Sequence, residues 1–158
     1  YGTPQSGADL ALSMLKADHW RTSACLQITR RSLIEKNQIR FPVGLLHEDN
    51  WVSTRIAISA HRAAHVSTPL YRRRVRPGSI TTGATTHRHL ASLIELSRAF
   101  ARRARHLGGS SRELAEQMSA RTASDAELTR AKVAANAAVS TAKWYAMRVR
   151  MRLRLRAA

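Results

Sequence analysis

The spacing of apolar residues changes near residue 86, and this change limits the folds that the chain can adopt. After that point apolar side chains recur every three or four residues, which is typical of amphipathic helices packed on a core. Before it, short apolar segments are separated by turn-forming residues. We therefore predict an α/β fold for residues 1–82 and an α-helical extension for residues 86–158. The apolar positions of the first helix in the extension are Leu90, Leu93, Ile94, Phe100, Ala101, Ala104 and Leu107.

Helices and extended segments are expected to alternate in the first part. The Ser6-x-x-Asp9 pattern can cap a helix and predicts one over residues 8–17. A short helix over 30–37 and a longer one over 51–62 are predicted further along the chain. The segments predicted as strands or extended chain are 23–29, 39–41, 64–67 and 69–76.

Two capping boxes divide the extension into further helices. Ser110 and Glu113 have the Ser-x-x-Glu spacing, and Ser124 and Glu127 repeat it. Because each pattern predicts a helix start, we expect a second and a third helix after the Gly108-Gly109 stop. The third helix would run into the C-terminal tail.

Net charge is the strongest compositional signal. The chain carries 27 Lys and Arg against 10 Asp and Glu, a formal net charge of +17. Such a surface attracts polyanions, which include nucleic acid, anionic lipid headgroups and diphosphate-linked substrates. A genome rich in G and C would also favour Arg over Lys, so charge alone does not identify the partner.

Several site classes are excluded or disfavoured by the sequence. Cys25 is the single cysteine, which excludes an internal disulfide and a cysteine-based zinc site and fits a reducing compartment. No apolar run approaches the ~18–20 residues of a membrane-spanning helix, and no signal peptide is visible. Two histidine pairs have metal-ligand spacing but no third ligand nearby, namely His61/His65 and His87/His89. The first residues resemble the middle of a longer chain, so a fragment is expected.

Two segments of the first part hold the residues best suited to chemistry. The adjacent carboxylates Glu48 and Asp49 end a glycine-containing loop, where they could position and deprotonate a hydroxyl. Arg74 and Arg76 precede a Gly-Ser turn, and guanidinium groups with turn amides bind phosphate oxygens. Two simpler interpretations stay open: Asp49 as the N-cap of the next helix, and the two arginines as solvated side chains.

The order of these pieces resembles the end of the catalytic domain in bacterial family-two glycosyltransferases of the GT-A type. In that family an extended Arg/Lys-Phe, a short Gly loop and a Glu-Asp pair precede a helix and a Leu-Tyr-x-Tyr-Arg-x-Arg-x-Gly-Ser motif. This chain has Arg40-Phe41, Gly44, Glu48-Asp49 and the motif at 70–79. Arg73 stands where the family often has Tyr. The resemblance covers about residues 20–82.

The resemblance implies roles for individual residues of an inverting sugar transferase. Asp49 would be the general base that deprotonates the acceptor hydroxyl, and Glu48 would support it or orient the acceptor. His47 would contact the sugar or brace the loop. The residues that would lie near the diphosphate of the nucleotide-sugar donor are Arg74, Arg76 and Ser79.

The resemblance also implies parts that this sequence does not show. It implies the carboxy-terminal portion of a Rossmann-like GT-A domain, preceded by a nucleotide-binding half with a metal-binding Asp-x-Asp. Only Asp9 and Asp18 precede the motif, and neither lies in that pattern. The ligands of a divalent metal, Mg²⁺ or Mn²⁺, are therefore expected outside this chain. The chain alone is expected to be inactive, and the acceptor would be a cell-envelope polysaccharide or a lipid-linked glycan.

The C-terminal tail suggests where the protein lies in the cell. Arg residues alternate with apolar ones from Arg148 to Arg156, next to Trp144 and Tyr145. Long Arg side chains can reach a headgroup layer, so we predict a cytoplasmic protein docked on the anionic inner face of the plasma membrane. Two alternatives stay open: a solvated basic end, and a non-enzymatic helical module that binds nucleic acid or anionic membrane. Nucleic acid is the less favoured partner because no recognition module accompanies the charge.

Overall fold

The computed structural model describes residues 2–75, 77–79 and 83–156, with the side chains of the last helix described as far as Val139 and at Ala142. The chain is helical. Three predicted helices are confirmed, at 8–17, at 30–37 and over the stripe that begins at Leu90. The helices are α1 (Gly7–Lys16), α2 (Arg31–Lys36), α3 (Glu48–Ser59), α4 (His87–Ala104) and α5 (Gly109–Arg156), with a 3₁₀ turn at Ala24–Leu26.

The α/β prediction is wrong for the described residues. They contain no sheet, and the one β-bridge is an isolated antiparallel pair between Gln5 and Ala63. Within the predicted strand 23–29 the chain forms the 3₁₀ turn, and the described residues of 39–41, 64–67 and 69–76 form no strand. A strand requires a neighbour for its backbone amides and carbonyls, and these segments do not lie beside one another as a ladder. A Rossmann-like portion of a GT-A domain is therefore not what this chain forms.

The predicted division of the extension into three helices is also wrong. α5 is one helix of 48 residues, about 70 Å long at 1.5 Å per residue, and it passes through the predicted start at Ser124 without interruption. A continuous buried stripe explains why the capping pattern is not used there. Its members face the core every three or four residues, and they are Leu114, Ala115, Met118, Thr122, Ala126, Thr129 and Val133.

Residues that precede residue 86 and residues that follow it form the hydrophobic core together. α4 and α5 pack along each other, and α1 and α3 close the core from the other side. Gly7 allows α1 to approach α3 closely, because a β-carbon at this position would collide with the backbone of Ala57. The buried residues of the main cluster are Ala8, Ala11, Leu12, Trp20, Ala57, Leu96, Phe100, Leu114 and Met118.

Beyond Val133, α5 leaves the core. The side chains from residue 134 to 139 are all exposed, and the helical backbone continues to Arg156. We call this last part of α5, residues 134–156, the α5 arm. None of the described helices is both long enough and apolar enough to cross a bilayer.

Candidate active site at the Glu48–Asp49 loop

The loop that precedes α3 has a sharply defined backbone. Gly44 has a φ of 84° and His47 a φ of 60°, and α3 begins immediately afterwards at Glu48. His47 is therefore the N-cap residue, and Asp49 lies one residue inside the helix. The helix predicted over 51–62 begins three residues earlier than expected, and the alternative of Asp49 as N-cap is wrong.

Asp49 is a half-buried carboxylate without a cationic partner among the described residues. Its Oδ1 accepts a hydrogen bond from the backbone N–H of Asn50 at 3.0 Å. Burial raises the pKa of Asp49, and the charge of Glu48 adds to this effect, while backbone amides and His47 oppose it. A carboxylate in this state can accept a proton more readily than an exposed one.

α4 holds the loop in place. The backbone N–H of Leu46 donates to the Ser92 hydroxyl at 3.0 Å, and the Arg88 guanidinium donates to the Gly44 carbonyl at 3.2 Å. The His47 and His89 rings meet edge to face with their centroids 5.5 Å apart. The helical extension thus forms one wall of the candidate site.

Sequence reasoning did not identify these supporting residues of α4. Ser92 is only 3% exposed and lies beside Leu93 and Leu96 on the apolar face of the helix. A small polar residue within an otherwise apolar stripe was the available signal, because such a hydroxyl needs a hydrogen-bond partner when it is buried. Its partner could not be inferred, since it lies 46 residues away in the chain.

The surroundings of His47 and His89 include one hydrogen bond and one enclosed nitrogen. His89 Nδ1 accepts from the backbone N–H of Thr86 at 3.2 Å, so this nitrogen must carry a lone pair. His47 Nε2 is enclosed and has no hydrogen-bond partner in the described structure. Burial lowers the pKa of His47, and the neighbouring His89 lowers it further, while nearby carboxylates including Asp49 and Asp125 partly oppose the shift.

Acidification is expected to weaken the contact between the loop and α4. Because the pKa of His47 is lowered on folding, the unfolded chain binds the proton more tightly, so the free energy of unfolding decreases as pH falls below about 6.5. Replacing His89 with Asn should raise the pKa of His47, since the second cause is removed while the Asn side-chain oxygen can replace Nδ1 as acceptor of the Thr86 N–H. An NMR titration of the His47 ring in both proteins measures the effect. An unchanged His47 titration would contradict the pairing.

The described donor-side residues form no hydrogen bond or ion pair with Asp49. Arg74 is exposed and forms no hydrogen bond or ion pair with a described residue. Arg76 lies outside the described residues. Ser79 is half-buried, and its carbonyl accepts from the Gly83 N–H at 2.7 Å.

No group of three or more His, Cys, Asp or Glu side chains that could hold a metal ion occurs in the described part of the chain. Comparisons with protein-family models, with curated proteins and with solved structures found no match.

Proposed function

We propose that this chain supplies the acceptor side of an inverting glycosyltransferase, which moves a sugar from a nucleotide-sugar to a cell-envelope polysaccharide or lipid-linked glycan. The observation that carries the proposal is the Asp49 carboxylate. It is half-buried at a loop-to-helix junction, and the hydrogen bonds that it receives come from the backbone of its own turn. The order of motifs around it, described above, supplies the reaction class.

In this proposal Asp49 acts as the general base. The acceptor hydroxyl gives its proton to the Asp49 carboxylate while its oxygen forms a bond to the anomeric carbon. The bond from that carbon to the phosphate oxygen breaks, and the nucleoside diphosphate leaves with the electron pair. The raised pKa of Asp49 favours the proton transfer, and Glu48 orients the acceptor hydroxyl. The fixed loop geometry, held by α4, keeps the carboxylate at a constant position.

The donor and the metal are assigned to another part of the enzyme. A divalent ion, Mg²⁺ or Mn²⁺, would neutralise the leaving diphosphate, and its ligands are proposed to lie in the nucleotide-binding part. Arg74, Arg76 and Ser79 are proposed to contact the donor diphosphate from this side.

Exposed apolar residues outside the helices support a role next to further protein. Ile28 and Val43 are 103% and 100% exposed, and Leu70 and Val75 are 76% and 72% exposed. These apolar side chains are in contact with water, and their segments have no strand pairing. Burial against another protein surface would therefore be favourable. We propose that the nucleotide-sugar-binding part of the enzyme provides this surface.

The α5 arm is proposed to dock on the cytoplasmic face of the plasma membrane. It carries Lys143 and five Arg residues but no Asp or Glu. This charge pattern also favours the second candidate function, a non-enzymatic basic module that binds nucleic acid or anionic membrane. The two candidates differ in whether Asp49 has a role.

Product stereochemistry tests the proposed function. The chain joined to its nucleotide-sugar-binding part should transfer the sugar with inversion at the anomeric carbon, as read from proton couplings of the product by NMR. The 158-residue chain alone should release no nucleoside diphosphate from any nucleotide-sugar. Retention of configuration would overturn the base mechanism, and metal-dependent turnover by the chain alone would overturn the division into two parts.

A further inference from the structure

Two half-buried arginines come together where α3 packs against α4. Trp51 and Arg55 lie one turn apart on α3, and Phe100 and Arg103 lie one turn apart on α4. The Trp51 and Phe100 rings are in contact, with centroids 5.4 Å apart. Each arginine therefore lies one helical turn from this ring contact, and the charge of Arg103 acts on Arg55.

Neither arginine meets a negative charge in the described structure. Arg55 donates to the backbone carbonyl of Asn37 at 2.8 Å, and its guanidinium carbon lies 5.6 Å from the centre of the Trp51 ring. The Arg103 guanidinium forms no hydrogen bond or ion pair with a described residue. The Nε atoms of both arginines are enclosed and have no acceptor.

Among the exposed arginines of the chain, several show the opposite behaviour. Five of them form ion pairs with carboxylates although water already screens their charge. Half-buried charges need a partner more than exposed ones do, because burial removes part of their hydration. The pairs on the exposed surface are Arg21–Asp18, Arg31–Glu35, Arg40–Glu35, Arg102–Glu95 and Arg130–Glu127.

The electrostatic state of Arg55 agrees with a missing counterion. Burial lowers the pKa of Arg55, and the neighbouring charge of Arg103 lowers it further. Two positive charges therefore oppose each other at this interface without compensation from a described carboxylate.

We propose that Arg55 and Arg103 together bind a phosphate group. Guanidinium forks match phosphate oxygens in geometry, and a doubly charged phosphate neutralises both arginines, which a single carboxylate would not. The indole of Trp51 holds the Arg55 guanidinium over its face and limits its motion. This site makes no use of Asp49 and does not rest on the proposed transferase activity.

The test is a titration of the whole chain with inorganic pyrophosphate, followed by NMR at the arginine Nε–H groups. The enclosed Nε–H groups of Arg55 and Arg103 should exchange slowly with water and give resolved signals that shift to saturation. Because the chain has a net charge of +17, pyrophosphate will also bind elsewhere, and a matched charge loss is needed as a control. Arg98 provides it, since it lies exposed on the same helix as Arg103.

Replacing Arg103 with Gln should weaken pyrophosphate binding by about 10-fold or more, whereas replacing Arg98 with Gln should change it little. Replacing Arg103 with Lys keeps the charge but not the fork, and should give an intermediate loss. Circular dichroism and Trp fluorescence check that the variants are folded. Equal losses for Arg103→Gln and Arg98→Gln, or no saturable shift at either Nε–H, would overturn the site.

A second experiment identifies the source of the phosphate. Vesicles of phosphatidylcholine with phosphatidic acid present the same group on a lipid. A selective loss of vesicle binding in Arg103→Gln, compared with Arg98→Gln, would assign the site to a lipid headgroup. A selective loss confined to pyrophosphate would assign it to a soluble phosphate compound. If Arg103→Gln causes no selective loss of binding to either pyrophosphate or vesicles, the proposal is refuted.

Discussion

Replacing Asp49 with Asn in the enzyme that contains this chain is expected to lower sugar transfer by about 10²–10⁴-fold, because the acceptor hydroxyl loses its general base. Binding of the nucleotide-sugar should change little. The measurement is the initial rate of transfer together with the affinity for the donor. Asp18 offers a matched control, since its side chain is 89% exposed and Asp18→Asn makes the same chemical change outside the loop. Transfer at the normal rate by the Asp49 variant would refute the assignment.

The pH dependence of transfer gives an independent check on Asp49. Its carboxylate must be ionised to accept a proton, so activity should fall as pH decreases through its pKa. Since burial raises the pKa of Asp49, this fall should occur at a higher pH than for an exposed Asp. The acid limb should disappear from the residual activity of Asp49→Asn. An acid limb that persists unchanged in the variant would point to another base.

A structural role for Asp49 would have a different signature. A raised pKa means that the folded chain holds the proton more tightly than the unfolded chain, so ionisation of Asp49 costs stability as pH rises through this range. Substitution by Asn removes that cost and loses a favourable charge in the first turn of α3, and each effect is about 1 kcal/mol or less. The variant should therefore unfold at nearly the same temperature as the original chain. Loss of activity accompanied by unfolding would indicate that Asp49 supports only the fold.

Removing residues 147–158 is expected to weaken binding to anionic vesicles by about 10³–10⁴-fold. The deletion removes five Arg side chains, and each basic residue near an anionic leaflet contributes about 1 kcal/mol. The folded core should be unaffected, because the last buried side chain described in α5 is Val133. Vesicle co-sedimentation at several salt concentrations measures the effect, which should shrink as salt shortens the Debye length below about 8–10 Å. Substitution of the same five Arg by Lys keeps the charge and serves as the control.

Competition distinguishes the membrane from nucleic acid as the partner of the α5 arm. Vesicles should outcompete duplex DNA or RNA at matched negative charge. Displacement of vesicles by nucleic acid, with preference for one sequence or shape, would favour the non-enzymatic nucleic-acid module. Equal background binding of the original and truncated chains to both ligands would show that the arm is a solvated end.

The helices that could be predicted are those whose signals are local. Ser6 accepts a hydrogen bond from the Asp9 N–H at the start of α1, as its capping pattern predicts. The apolar spacing after residue 86 locates α4, because one face of a helix has to reach the core. Each of these signals acts within a few residues of the chain, so the sequence is enough.

The lack of strands in the described residues and the continuity of α5 could not be predicted in the same way. A strand depends on a neighbour that satisfies its backbone, and alternation at 23–29 cannot show whether such a neighbour exists. The Ser124 pattern would cap a helix start, but the buried stripe through Thr122 and Ala126 keeps α5 continuous against α4. In both cases partners distant in sequence decide the outcome.

By itself, the sequence determined the positions of the local helices, the concentration of positive charge and the chemical identity of the Glu48–Asp49 pair. Only the tertiary structure decided that Asp49 is half-buried inside the first turn of α3, and that α4 fixes its loop through Ser92. The same packing set Arg55 beside Arg103 without a described carboxylate between them. Burial and electrostatic environment are properties of contacts between segments far apart in the chain, and no local pattern encodes them.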